Sequence, residues 1–136
     1  MAQVNYKAEI VIKKTVGLVF EFVSDIKNFP LWAGASKVEV ISETPNIVGS
    51  LYKVTFSTLL SKRSVPVEIM EFKFPNSFSY RDNSKMIIYE YYLLQDGDDA
   101  RVSLTCKLND EPFSFSRAKM DKILPDLKKY LETHDL

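Results

Sequence analysis

The stretch Phe20-Glu21-Phe22-Val23-Ser24-Asp25-Ile26-Lys27-Asn28-Phe29-Pro30-Leu31-Trp32 constrains the fold more than any other part of the chain. Val16, Val19, Phe20 and Val23 recur at helical spacing behind a capping Thr15, which gives one apolar helix face. Asp25 caps the next turn, where its carboxylate accepts backbone N–H groups and suits the positive end of the helix dipole. Pro30 disfavours helical geometry at Phe29, so Pro30-Leu31-Trp32 reads as a stop. The local expectation is two short helices in succession.

Around this segment the period is 2. Tyr6, Ala8, Ile10 and Ile12 alternate with polar or charged neighbours, which predicts a half-buried strand ahead of the helices. From Lys37 onward the pattern is all strand. Val38, Val40 and Ile41 form one, then Leu51 to Thr58, with Tyr52, Val54 and Phe56 on one face. Leu59 to Ser64 reads as a hairpin tip and Val65 to Phe74 as the returning strand. Phe78 to Arg81 and Met86 to Leu94 follow as a pair. After the turn signal Asp96-Gly97-Asp98-Asp99, Val102, Leu104, Cys106 and Leu108 alternate cleanly. Beyond Pro112 the period lengthens again. Met120, Ile123, Leu124, Leu127 and Leu131 make a helical stripe, with Ser114 or Ser116 as candidate caps. Pro125 lies inside that stripe and predicts a kink or a break into two helices. The fold class is α+β: an antiparallel sheet of about seven strands whose apolar face is covered by one C-terminal helix.

Composition narrows the function. The chain has 136 residues and reads as one domain, 1–136. Lys plus Arg equals Asp plus Glu, 18 against 18, so no global positive field attracts nucleic acid. Cys106 is the single cysteine, which excludes an intrachain disulfide. No apolar run reaches the roughly 18 residues of a membrane span, and the N-terminal alternation is not that of a signal peptide. A cytoplasmic setting is the expectation.

The order of these elements resembles the START-like (SRPBCC) superfamily, the helix-grip fold of the birch-pollen-allergen, polyketide cyclase and coenzyme-Q-binding families. Val19-Phe20-x-Phe22-Val23-x-Asp25-Ile26-x-x-Phe29-Pro30-x-Trp32 is similar to the family's opening motif. Val48-Gly49-Ser50-x-Tyr52 is similar to its second-hairpin turn. Val67-Glu68-Ile69-x-Glu71-Phe72, Phe74-Pro75 and Phe78-Ser79-Tyr80 resemble its central hairpin. Gly97-Asp98-Asp99-Ala100-Arg101-Val102 resembles the turn before its last strand, with Ala100 where threonine is usual. The resemblance spans nearly the whole chain. It implies a cavity between the sheet and the C-terminal helix that holds a hydrophobic small molecule. It implies no single chemistry.

The candidate ligand-lining residues are Trp32, Phe56, Tyr80, Tyr89, Tyr91, Cys106, Met120, Ile123 and Leu124. Inward tyrosines would offer phenol donors to a carbonyl-bearing ligand and ring area to its body. Tyr89-Glu90-Tyr91-Tyr92 fits either face, and the phase with Tyr89, Tyr91 and Leu93 inward is preferred. The opposite phase would bury Glu90, raise its pKa and make an acid or base of it. No catalytic residue, metal ligand or cofactor is assigned. His134 is the sole histidine and sits at the C-terminal tail, which leaves His-based nucleophilic or metal chemistry without support. Arg81 reads as a solvated strand end. Leu59-Leu60 beside Lys62-Arg63 suggests transient membrane contact. The expected role is carrier or sensor. The alternatives are an aromatase/cyclase-type enzyme using Tyr89, Tyr91, Glu90 or Arg81, and a protein-interaction domain with a filled interior.

Overall fold

The structure is a computed structural model that describes residues 3–108 and 117–134. Its strands are β1 (Gln3–Ile12), β2 (Lys37–Val40), β3 (Leu51–Ser57), β4 (Lys62–Lys73), β5 (Ser77–Asp82), β6 (Ile87–Asp96) and β7 (Asp99–Leu108). They form one antiparallel sheet in the order β1-β7-β6-β5-β4-β3-β2. The chain leaves β1 through the short helices, enters the far edge at β2, and meanders back by hairpins until β7 pairs with β1. Register shifts between Val4 and Tyr6, and between Ile69 and Glu71, help to curve the sheet. Gly97 has a positive φ of 62° at the first of the two residues joining β6 and β7, where a primed hairpin turn favours glycine.

Between β1 and β2 lie α1 (Val16–Val23), a 3₁₀ turn (Ile26–Asn28) and α2 (Phe29–Trp32). The apolar stripe of α1 buries Val19, Phe20, Phe22 and Val23. Thr15 stands at the cap position but makes no side-chain bond there. The first N–H of the helix instead donates to Gln95 Oε1 at the end of β6, 3.2 Å away. Asp25 does cap the 3₁₀ turn, accepting from the Lys27 N–H at 3.2 Å. Pro30 does not stop the chain as expected. It sits in the first turn of α2, where its fixed φ and missing N–H cost least, and Trp32 is the last residue of that helix.

The C-terminal helix is in two pieces, α3 (Arg117–Met120) and α4 (Ile123–Thr133). The break at Asp121–Lys122 is the one Pro125 demands: its ring crowds the carbonyl of residue 121 and it cannot donate to it. The helix restarts at Ile123, placing Pro125 in a first turn that needs no donor. The candidate caps Ser114 and Ser116 lie outside the described residues. Leu124, Leu127 and Leu131 are buried against the sheet, each worth about 1.5–3 kcal/mol of apolar burial. Polar contacts tie both ends of this helical segment to β1. Tyr6 Oη donates to Asp121 Oδ1 at 2.8 Å. Lys128 Nζ donates to the Val11 carbonyl at 2.7 Å, and the Lys13 N–H to Glu132 at 2.8 Å.

Strand limits differ modestly from the sequence reading. Ile41 and Thr58 fall outside their strands, and β4 begins at Lys62 rather than Val65. The hairpin tip is therefore only residues 58–61. Its Thr58 N–H donates to the Ser61 carbonyl at 2.8 Å, closing the tight turn that lets pairing run to Ser57 and Lys62.

Candidate functional site

The face of the sheet turned toward the helix carries Tyr52, Val54 and Phe56 from β3, and Val65, Val67 and Ile69 from β4. The next strands add Phe78 and Tyr80, Tyr89, Tyr91 and Leu93, and Val102, Leu104 and Cys106. The ambiguous strand thus runs in the preferred phase, with Tyr89, Tyr91 and Leu93 inward. Cross-strand register sets Tyr80 opposite Tyr89 and Phe78 opposite Tyr91.

An aromatic array follows from that register. Tyr80 stacks on Tyr89 with centroids 4.8 Å apart, and Phe78 on Tyr91 at 6.0 Å. Phe29 of α2 reaches Tyr80 at 5.4 Å and Trp32 at 5.7 Å. Phe29 thus links the Trp32 ring to that of Tyr80. Trp32 closes the α2 end of the core, and its buried Nε1 has no hydrogen-bond partner among the described residues. On the α1 side Phe20 meets Phe72 and Phe74 edge-on at 5.3 and 5.4 Å. These rings fill the interior near α1, and the tyrosines lie between them and the opposite end.

That opposite end is the candidate mouth. It carries the β3–β4 tip, the turn at residues 83–86, the end of β7, and α3. Met120 and Ile123 flank the helix break, Met120 buried and Ile123 half-buried. The Cys106 thiol donates to Met120 Sδ at 3.7 Å, so strand and helix meet here through two polarisable sulfurs. Phe56 is half-buried at the same end.

Burial fixes the chemistry of these groups. It raises the phenols of Tyr80, Tyr89 and Tyr91 above their ordinary value near 10. They are neutral donors at pH 7, not bases. The hydroxyl of Tyr80 bonded to Tyr91 partly offsets the shift at Tyr91. No hydrogen-bond partner for the Tyr89 hydroxyl is found among the described residues. Desolvation also pushes the Cys106 thiol to about 12, which leaves it un-ionised and inert as a nucleophile.

Two residues named for the cyclase alternative face away. Glu90 lies on the outer face and pairs with Lys107 at 3.0 Å. Arg81 lies there too, bonded to Glu68 at 3.2 Å and Asn83 at 2.6 Å. Alternation forces this, because both adjoin inward tyrosines and successive strand side chains point to opposite faces. His134 is exposed at the end of α4 and stacks on Tyr130 with centroids 3.8 Å apart.

Two depressions on the outer surface involve other residues. One of about 630 Å³ lies over α1, lined by Thr15, Gly17, Leu18, Glu21, Phe22 and Asn28. One of about 220 Å³ lies between α2 and the end of α4, beside Leu31, Trp32, Lys129 and Tyr130. Of the candidate ligand-lining residues, only Trp32 borders either.

Sequence reading overlooked one inward side chain. With β4 starting at Lys62, Arg63 shares the phase of Val65 and Val67 and pairs opposite Phe56. Its guanidinium stands 5.5 Å from the centre of the Phe56 ring. Extending the alternation of Val65 and Val67 back by two residues would have found it.

No protein-family model matches the chain, and no curated protein matches it in sequence. Solved structures do match in fold. Ara h 8.0201 superposes with a TM-score of 0.76 at 13% identity, over 98% of this chain and 100% of that one. Major latex-like protein 151 from Panax ginseng gives 0.76 at 16% identity, over 99% and 98%. The di-domain ARO/CYC StfQ of the steffimycin biosynthetic pathway gives 0.76 at 12% identity, over 96% of this chain and 45% of that one. The chain has the START-like, helix-grip fold. Among the described residues no helix is long and apolar enough to cross a membrane.

Proposed function

We propose that the protein binds a hydrophobic small molecule between the sheet and the C-terminal helix, entering at the mouth beside α3, and serves as a carrier or sensor rather than an enzyme. The observation that carries this reading is the row of inward phenols, Tyr80, Tyr89 and Tyr91, stacked on the inner face of the sheet, with the Tyr89 hydroxyl half-buried and unpaired among the described residues. Tyr89 is half-buried and its hydroxyl is open to solvent, so a ligand oxygen would take the place of water there. Phe56, Cys106, Met120, Ile123 and Leu124 supply the apolar walls. Trp32 supports the site from behind Phe29.

The aromatase/cyclase reading loses Glu90 and Arg81 to the outer face. It is left with phenols that donate but do not take up a proton at neutral pH. The filled-interior reading draws on the packing near α1 and accounts for Leu124, Leu127 and Leu131.

A membrane is the fitting place for loading. Leu59 and Leu60 are fully exposed at the tip, and Lys62 and Arg63 follow them. A cytoplasmic carrier would touch an anionic leaflet there. Leu60→Asp should abolish co-sedimentation with vesicles containing phosphatidylserine, and unchanged sedimentation would remove this contact.

Native mass spectrometry of the purified protein tests the binding itself. The expected spectrum shows a co-purifying apolar compound released by organic solvent. A bare chain that also fails to take up any apolar probe would exclude the reading.

A further inference from the structure

Arg63 is placed unlike any other cation of the sheet. It stands in the inner-face phase of β4, exposed beside the β3–β4 tip, where every neighbouring position of that face on β3 and β4 is apolar or aromatic. Most Lys and Arg side chains of the outer face have carboxylates: Lys53 with Glu39, Arg81 with Glu68, Arg101 with Glu9 and Asp96, and Lys107 with Glu90. Arg63 has no such partner among the described residues. The inner-face carboxylate at this end, Asp82, is committed to its own turn. Asp82 Oδ1 accepts from the Ser84 N–H, the Ser84 hydroxyl and the Lys85 N–H at 2.9, 2.7 and 3.1 Å. The Phe56 ring under the guanidinium holds it in place without neutralising it. Its charge is felt by Tyr89, whose ionisation it eases against the larger opposing effect of burial.

We infer that the ligand is an amphipathic anion, with an apolar body lying along Tyr89, Cys106 and Met120 and an acidic head at the mouth paired with Arg63. The inference rests on the binding reading above and adds the charge of the ligand to it. A guanidinium recognises a planar carboxylate or a sulfonate by two parallel N–H donors, and the ring beneath it leaves its edge free for that. The Tyr89 hydroxyl on the same face is a neutral donor for an oxygen near the head. A neutral lipid or hydrocarbon would leave the Arg63 charge unused.

A matched pair of fluorescent probes tests this: anilinonaphthalene sulfonate, and phenylnaphthylamine, which has the same ring skeleton without the sulfonate. The wild-type protein should bind the sulfonate about tenfold more tightly. Arg63→Gln should remove that preference and leave phenylnaphthylamine binding within twofold. Arg63→Lys should restore part of the preference, and added salt should weaken only the sulfonate. Equal binding of both probes by wild type, unchanged in Arg63→Gln, would overturn the inference while leaving the binding reading intact. An equal loss of both probes in Arg63→Gln would also overturn it, by assigning Arg63 a packing role over Phe56. Failure of wild type to bind either probe would overturn the binding reading and this inference with it.

Discussion

Tyr80 and Tyr89 face each other across the β5–β6 pair with ring centroids 4.8 Å apart and 17° between their planes. The stack turns two strand residues into one flat wall on the inner face of the sheet. Ring contact and hydroxyl chemistry are separable there. Tyr89→Phe keeps the wall and removes an oxygen that is unpaired among the described residues. Its thermal midpoint should stay within about 2 °C of wild type, because no protein hydrogen bond is lost. Affinity for an oxygen-bearing ligand should fall about threefold to tenfold. A large drop in midpoint would show that the hydroxyl serves the fold instead.

The buried phenols and the thiol make stability depend on alkaline pH. Burial raises Tyr80, Tyr89 and Tyr91 above 10, and Cys106 from 9.0 to about 12. The unfolded chain therefore gives up these protons first, and the folded chain still holds them. Their contribution is complete below pH 9 and shrinks as pH rises past 9 for the thiol and 10 for the phenols. Each group still protonated only in the folded state lowers stability by about 1.4 kcal/mol per pH unit in that window. Urea unfolding at pH 8 and pH 11 should show a marked loss at the higher value. Equal midpoints would contradict the burial of these groups.

Cys106 should resist thiol reagents. At pH 8 the native protein should react with a disulfide reagent at least a hundredfold more slowly than the urea-unfolded chain, since both burial and the raised pKa suppress the thiolate. Rapid native reaction would mean that β7 and α3 separate easily at Met120.

Leu127 and Pro125 lie two residues apart on α4 and should behave very differently. Leu127 is wholly buried, so Leu127→Ala should cost about 2–5 kcal/mol in chemical denaturation. Pro125 is exposed in the first turn of the helix. Pro125→Ala should change stability by less than about 1 kcal/mol but allow α3 and α4 to join. Helical circular dichroism should rise and release of a bound apolar probe should slow. An unchanged release rate would show that the break at Asp121–Lys122 does not gate the mouth.

The fold was legible from periodicity because each strand buries one face and alternation survives in the sequence. The Phe20-to-Trp32 segment located α1 and the turn capped by Asp25, but a further short helix, α2, starts at Phe29 with Pro30 in its first turn where a stop was expected. Proline ends a helix only when it falls beyond the first turn, and sequence alone did not say which turn it occupied. The same ambiguity moved the helix break from Pro125 to Asp121–Lys122. Strand phase at Tyr89-Glu90-Tyr91-Tyr92 was open, because both faces of that strand are amphipathic; the pairing of Tyr80 with Tyr89 resolves it. Arg63 was invisible for a simpler reason. Lys62-Arg63-Ser64 has the composition of a loop, and only backbone pairing with Phe56 and its neighbours makes it strand.

The proposed function requires an apolar molecule to enter beside the inward tyrosines, under the C-terminal helix. Methyl-resolved NMR during titration with phenylnaphthylamine tests it most directly. The predicted result is saturable shifts at Met120, Ile123 and Leu124, with Leu18 and Leu31 unmoved. Shifts confined to Leu18 or Leu31, which border the outer depressions, would contradict it, as would no saturable shift at all.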